Sequence, residues 1–269
     1  MINLKKFAFS EKWRNIITYL IYVVFVGYSI HLIIEAPELS VKLTYGAITI
    51  IFMSICILSE YLRILYRNSI KALNLKCDPI TSREINAKIL KFDLFKSYTQ
   101  TLKIMETLLL IDENKAEECL TFLEDNEKLF KQNLDYLLIR NYSAFKAYFM
   151  IDNKSKVKKF YPEVTKLKGA KIKGSKVSPL YSWEEIDAVY YLSSKDYKKS
   201  RNAFESAHLG NMNSRELSHF YYEFALLAIA EGKSVEAIKH LDAVIEMSNK
   251  MTLFEIAKQL RKDLTDEKA

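Results

Sequence analysis

The sequence predicts an all-α protein: a two-helix transmembrane hairpin at the N-terminus, then a water-soluble domain of paired helices. Three observations carry this reading. Two apolar runs, each long enough to cross a bilayer, lie within residues 15–62. After them, apolar residues recur at helical spacing between short breaks. Helix breakers are scarce, with Gly 6 and Pro 4 in 269 residues, too few for a sandwich or barrel built on many turns.

The first run is NIITYLIYVVFVGYSIHLII at residues 15–34, with no charge between Arg14 and Glu35. At about 1.5 Å per residue, 20 residues cover about 30 Å, the thickness of the hydrocarbon core. Twelve of them are Ile, Leu, Val or Phe, which together favour insertion by roughly 4–7 kcal/mol. The run exceeds a signal-peptide core, has no A-x-A site after it, and is followed at once by a second run. That second run, LTYGAITIIFMSICILSEYL, begins at Leu43 and carries one charge, Glu60, near its end. EAPELSVK joins the two, with Pro37 where a helix must stop. His31 and Glu60 lie toward opposite ends and read as interfacial groups rather than a relay. Gly27, Gly46 and Ser54 permit close helix contact, although no GxxxG pair occurs.

Charge sets the orientation. Lys5, Lys6, Lys12 and Arg14 precede the first run, and Arg63, Arg67, Lys71 and Lys76 follow the second. The connecting loop has only Lys42 beside Glu35 and Glu38. The positive-inside rule then predicts a multi-pass plasma-membrane protein with both termini in the cytoplasm. The expected organisation is a cytoplasmic N-terminus at 1–12, spans at 13–34 and 43–66, an extracytoplasmic loop at 35–42, a basic juxtamembrane linker at 67–79, and a cytoplasmic helical domain at 80–269. The overall charge of +7 is uneven. Residues 1–90 hold 11 Lys/Arg against 6 Asp/Glu, residues 151–180 hold 9 against 2, and the remainder is acidic on balance. Nucleic-acid binding is therefore not expected. Cys56, Cys77 and Cys119 form no CxxC and suggest neither a disulfide framework nor a zinc site.

In the soluble part, Thr81 or Ser82 is the expected cap of a helix beginning SREINAKILKF. Helices are expected at 95–111, 115–125, 133–151 and 154–167, the last limited or kinked by Pro162. LKGAKIKGSKVSP then reads as a Lys/Gly linker, spanning 167–181. SWEEIDAVYYLSS is expected to pair with DYKKSRNAFESAH, and SRELSHFYYEFALLAIA with SVEAIKHLDAVIEM, before a last helix TLFEIAKQLRKDL.

The last pair has an internal pattern: Gly232 at the turn, Ala237 five residues on, then Leu241 and Val244, with Ala225 on the first helix. This resembles the tetratricopeptide repeat, a helix–turn–helix unit of about 34 residues. Ala188, Ser200, Phe204 and Ala207 follow it more loosely. Val157, Tyr161 and Val164, and before them Cys119 and Leu123, match by spacing alone. Cys119 then reads as a small buried contact residue. The consensus Trp, Gly and Tyr of the first helix are mostly absent, and only the last unit has the turn glycine. The resemblance covers about residues 95–250 and implies an α-solenoid of about four helical hairpins plus a C-terminal capping helix. The whole arrangement is also similar to bacterial membrane proteins that join a short hairpin to such a domain and have no assigned activity.

No P-loop, G-x-G-x-x-G, G-x-S-x-G or HExxH occurs. His208, His219 and His240 have no acid or cysteine at ligand spacing, and Glu117–Glu118 and Glu184–Glu185 read as solvated helix faces. No enzymatic activity and no cofactor is expected. The resemblance implies a concave groove lined by the first helix of each pair, with Tyr142, Lys146, Phe149, Glu185, Val189, His219, Tyr222 and Leu226 facing it. The expected function is a membrane-anchored scaffold that docks another protein or peptide. The rivals are a membrane immunity or transport-accessory factor with an active hairpin, and contact with anionic lipid through Lys154–Lys176.

Overall fold

The computed structural model describes residues 4–172, 175–176 and 181–266. Among these are thirteen α-helices, a 3-10 turn at Leu209–Asn211 and one short two-stranded ribbon. The chain divides into two compact units, one ending at Ile64 and one beginning at Leu65.

The first unit is α1 (Leu4–Glu35) and the N-terminal part of α2 (Leu39–Asn74), joined by a short turn. Both helices are long and apolar enough to cross a membrane, and their apolar windows are almost wholly uncovered by the rest of the chain. Val23, Val24, Ile34, Ile50 and Ile57 all stand exposed. Phe25 and Phe52 pack ring on ring with centroids 4.3 Å apart, so the two helices meet in mid-run. Glu60 bonds Arg63 one turn on, and His31 lies 3.4 Å from Glu35. His31 and Glu60 therefore each have a local partner on their own helix.

The second unit begins inside α2. Residues 67–74, expected as linker, continue the helix. The physical reason is a buried stripe at helical spacing: Ser69, Ala72 and Leu73. Leu73 packs on Met105 and Leu109, and the Ser69 hydroxyl donates to Asn86 Oδ1 at 2.6 Å. The chain then turns into α3 (Pro79–Phe92). Its cap is Asp78, not Thr81 or Ser82: the carboxylate accepts from the Thr81 N–H at 2.9 Å. Pro79, with no N–H and a preset φ, suits the first helical position and leaves the cap to the residue before it. Asp93 likewise accepts from the N–H groups of Ser97 and Tyr98, which delays the next helix to Thr99.

The packed pairs follow: α4 (Thr99–Asp112) with α5 (Ala116–Asp125), α7 (Leu134–Met150) with α8 (Lys154–Thr165), α9 (Trp183–Ser193) with α10 (Tyr197–Ser206), and α11 (Ser214–Ala230) with α12 (Ser234–Met247). A one-turn α6 (Glu127–Phe130), absent from the sequence expectation, precedes α7, and α13 (Thr252–Asp266) packs on α11 and α12. Within the expected 167–181 linker, β1 (Lys171–Ile172) pairs antiparallel with β2 (Ser175–Lys176); residues 173–174 and 177–180 lie outside the described residues.

The four pairs share one turn. Asn114, Asp152, Lys195 and Gly232 each sit in the left-handed region, with φ of 58°, 50°, 61° and 73°. Each donates its N–H three residues back, and the next residue donates five back: Gly232 to Ile229 and Lys233 to Ala228, Asn114 to Ile111 and Lys115 to Leu110, and equivalently in the other two. These are Schellman closures, which satisfy the orphan carbonyls of the first helix. Five residues beyond each turn stands a buried side chain: Cys119, Val157, Ser200 and Ala237. Cys119 and Ser200 both donate to a first-helix carbonyl, of Thr107 and Ala188 respectively. Large buried residues fill the layers between. Phe145, Phe204 and Phe220 are essentially solvent-free, each contributing about 1.5–3 kcal/mol by burial.

Candidate functional site

The first helices of the four pairs bring charged side chains to a common interior. Asp112 ends α4, Lys146 sits on α7, Glu185 on α9, and Arg215, His219 and Glu223 on α11. All six are buried. Asp112 accepts from Nε of Arg215 at 2.6 Å and lies 2.7 Å from Nε2 of His219. Lys146 bonds Glu185 at 3.0 Å and also bonds Glu223. Tyr142 donates its hydroxyl to Glu185 and stacks on Tyr181, centroids 3.6 Å apart.

Charge balance decides the protonation. Burial works against ionising Asp112, but Arg215 and His219 outweigh it and hold the carboxyl below its usual range. Burial lowers the His219 pKa despite the Asp112 contact, so the ring stays neutral near pH 7. Lys146 resists its own desolvation because two carboxylates face it, and its pKa is raised. One cation needs only one anion. Burial, helped by the nearby Glu185, pushes Glu223 up to about 8 even against the pull of Lys146. Near neutral pH Glu223 is therefore largely protonated.

Two cavities flank this network. One, of about 240 Å³, is lined by Tyr142, Tyr181, Trp183, Glu185, Met212, Arg215 and His219 among others. The other, of about 260 Å³, is lined by Asp112, Lys146, Phe149, His219, Tyr222, Glu223 and Leu226, with Leu253 and Ile256 of the last helix. Seven of the eight expected groove residues line one or the other, and His219 lines both. Tyr142, Phe149, Tyr222 and Leu226 are half-buried, whereas Lys146, Glu185 and His219 spend their polar atoms mainly on the network. Val189 is fully enclosed in the core and presents no surface, because its helix turns that side toward the core shared with α7, α10 and α11.

Two further expectations need correction. Glu185 is not on a solvated face, since Ser182 caps α9 and Glu185 points in to Lys146. His219 does not stand alone, because its acid comes from a helix more than a hundred residues earlier. Helical spacing does not single out Asp112, Arg215 or Glu223 as site residues. One of them carries a faint signal: Glu223 is the lone charge in LSHFYYEFALLAIA, as the expected Lys146 is in NYSAFKAYFMI. A single charge inside an apolar helical run must find a partner or stay uncharged.

Among the described residues no group of three or more His, Cys, Asp or Glu is placed to hold a metal ion. Cys77 and Cys119 are buried, with pKa values raised by burial, Cys119 to about 12. His208 is exposed, and His240 packs on Phe224 with centroids 4.3 Å apart. No protein-family model matches the chain, no curated protein matches it in sequence, and no solved structure matches it.

Proposed function

We propose that this chain is a membrane-anchored interaction scaffold: the hairpin sits in the bilayer, and a tetratricopeptide-like solenoid of four hairpins with a capping helix docks another protein at the cytoplasmic face. The observation that carries the reading is the cavity pair. Residues from the first helices of all four pairs converge on it, and Phe149, Tyr222 and Leu226 leave half-buried apolar surface at one mouth. Rigid aromatic groups at a concave mouth suit anchoring a partner side chain at low entropic cost. The repeated left-handed turn supports the solenoid reading independently of residue identity. The uncovered apolar faces of α1 and α2 support the anchor, since contiguous exposed apolar surface of that extent is a liability in water. Basic flanks on both sides of the hairpin favour cytoplasmic termini.

The test is a paired capture from native membranes. Full-length protein is crosslinked and purified beside a Phe149→Ala, Tyr222→Ala, Leu226→Ala variant shown by circular dichroism to keep its helix content. A partner held by the wild type and lost by the variant supports docking at this mouth. Identical partners in both samples overturn it. Replacing residues 13–66 by an unrelated two-span anchor separates the rival in which the hairpin itself acts, because that rival requires the swap to abolish function.

A second reading, contact with anionic lipid, is favoured by one feature. Lys154, Lys156, Lys158, Lys159, Lys166, Lys168 and Lys171 are all exposed, while Val157 and Val164 hold the opposite side of α8 in the core. Each such Lys adds about 1 kcal/mol near an anionic surface. Loss of liposome binding when these become Gln, and its absence at moderate salt for an unrelated control, are the outcomes that support it. No binding by the wild type overturns it.

A further inference from the structure

We infer that the cavity beside Glu223 is a pocket for an alkyl cation, the ammonium or guanidinium end of a partner's Lys or Arg side chain. This rests on the scaffold reading above and adds the chemistry of what enters.

Four observations converge. Glu223 is almost wholly buried and forms part of the cavity wall. Its Oε1 is bonded to Lys146, while its Oε2 has no hydrogen-bond partner. In the ionised form Oε2 is a buried acceptor without a donor, which costs free energy, so a donor arriving there takes the place of the proton. No side chain donates to it in this structure. Lys146 is shared with Glu185, and both Asp112 oxygens are engaged by Arg215 and His219. The apolar part of the lining, which includes Phe149, Tyr222, Leu226 and Ile256, suits an aliphatic stem. Asp152, exposed at the mouth and 3.7 Å from the Lys154 ammonium, adds a second carboxylate there.

Size and charge agree. At about 260 Å³ the cavity falls just below the roughly 300–1,000 Å³ of small-molecule sites, so one side chain fits better than a larger ligand. The groups facing Glu223 are Lys146 and Tyr142 from α7, Glu185 from α9, Asp112 from α4, and Tyr222 and His219 from its own helix, with Arg215 beyond. With Glu223 protonated and His219 neutral, the network is balanced. An incoming cation lets Glu223 ionise and restores balance with one more charge on each side. Entry of a cation is thus coupled to release of one proton: the carboxyl O–H bond breaks, the proton leaves to solvent, and the carboxylate keeps the electron pair.

The experiment is calorimetric titration of the full chain in detergent micelles near pH 7 with n-butylammonium, with n-butanol as the neutral isostere. Wild type is expected to bind the ammonium saturably and the alcohol at least about tenfold more weakly. Glu223→Gln is expected to lose about tenfold in ammonium affinity and none in alcohol affinity. Titration of wild type alone in phosphate and in HEPES, whose ionisation heats differ and neither of which offers an alkylammonium, is expected to show release of a fraction of a proton up to one per site. That arm decides the matter if the variant fails to fold. Equal binding of alcohol and ammonium, or saturable ammonium binding with no proton release, overturns the inference, as does no binding at all. A partner captured as described above while butylammonium fails to bind leaves the scaffold reading standing and removes only the cation. Butylammonium binding with no captured partner removes the scaffold reading instead. Displacement of a captured partner by butylammonium, and not by butanol, identifies the cation as the partner's own.

Discussion

The Asp112 carboxylate lies 2.6 Å from Nε of Arg215, although 103 residues separate them in the chain. Asp112 ends the first helix of the first pair and Arg215 lies at the start of the last pair, so this contact joins the first and last pairs. Lys146 and Glu185 come from the pairs between. The interior of the helical domain is therefore a polar keystone with an apolar cavity mouth beside it, rather than an open trough.

Removing one member of that keystone is more damaging than removing the pair. Asp112→Leu leaves the Arg215 guanidinium buried without its counter-ion, and is expected to cost about 3–5 kcal/mol. Asp112→Leu combined with Arg215→Met loses both charges and is expected to cost clearly less. Chemical denaturation of the two variants beside wild type, followed by circular dichroism, measures the difference. Equal costs would mean that the ion pair does not act as a unit.

The same keystone gives stability two opposed pH dependences. Glu223 titrates at about 8 when folded and near 4.3 when unfolded, so between those values the folded chain binds more protons. Stability contributed by this group therefore falls as pH rises through that window. Glu223→Gln removes the effect, and its advantage over wild type is expected to grow on the order of 1–3 kcal/mol from about pH 5 to about pH 9. His219 has the opposite sign. Its folded pKa is depressed, so below about pH 6.5 the unfolded chain binds more protons and stability falls with pH. His219→Gln, which can still donate to Asp112, is expected to flatten that acid limb. Melting temperatures across the pH range read both.

Much of this architecture was legible because it rests on period and length. The two apolar runs, the four pairs and the final helix all announce themselves through helical spacing. The shared turn was harder to see. Its turn residue is Asn114, Asp152, Lys195 or Gly232, so the shared left-handed geometry appears as a residue signature only at the last. Asn and Asp tolerate that region through short polar side chains, and Lys195 adopts it because the Schellman closure holds it there. The site was half legible. Face counting along a helix places Phe149, Tyr222 and Leu226 beside the cavity, but it cannot pair Asp112 with His219, since that contact joins helices 107 residues apart in the chain. Val189 shows the same limit, because counting put it on the open face and packing turned it inward.

The turn geometry itself predicts an asymmetry between two glycines. Gly232 has φ +73°, and a Cβ there would meet nothing within 4 Å. Gly232→Ala therefore carries only a conformational cost, about 1 kcal/mol, or a melting shift of about 2–4 °C. Gly210 has equal room and no left-handed φ, so Gly210→Ala is expected to stay within about 0.5 kcal/mol of wild type. Equal effects at the two positions would remove the special standing of the turn.

The buried thiols give a direct reading of packing. Cys77 and Cys119 are solvent-free, and burial raises both pKa values, Cys119 to about 12. The nucleophile is the thiolate, so both depth and protonation protect them. In the native chain neither is expected to react with iodoacetamide at neutral pH over minutes, while both react at once in denaturant. Mass mapping of the modified peptides distinguishes them from Cys56. Rapid labelling of Cys119 in the native state would mean that α4 and α5 part easily.

Membrane orientation can be tested at two positions on opposite sides of the expected bilayer. Ser40 is exposed in the first turn of α2, between the two apolar runs, and Asp263 is exposed on α13. The flanking lysines and arginines favour a cytoplasmic location for both termini, which would put residue 40 outside and residue 263 inside. A membrane-impermeant maleimide is expected to label Ser40→Cys on intact cells, and Asp263→Cys only after permeabilisation. The native cysteines leave this contrast intact, since two are solvent-free and the third lies within an apolar run. The reversed pattern would place the helical domain outside, where a cytosolic partner cannot reach the Glu223 cavity. Labelling of both sites on intact cells would mean that the hairpin does not span.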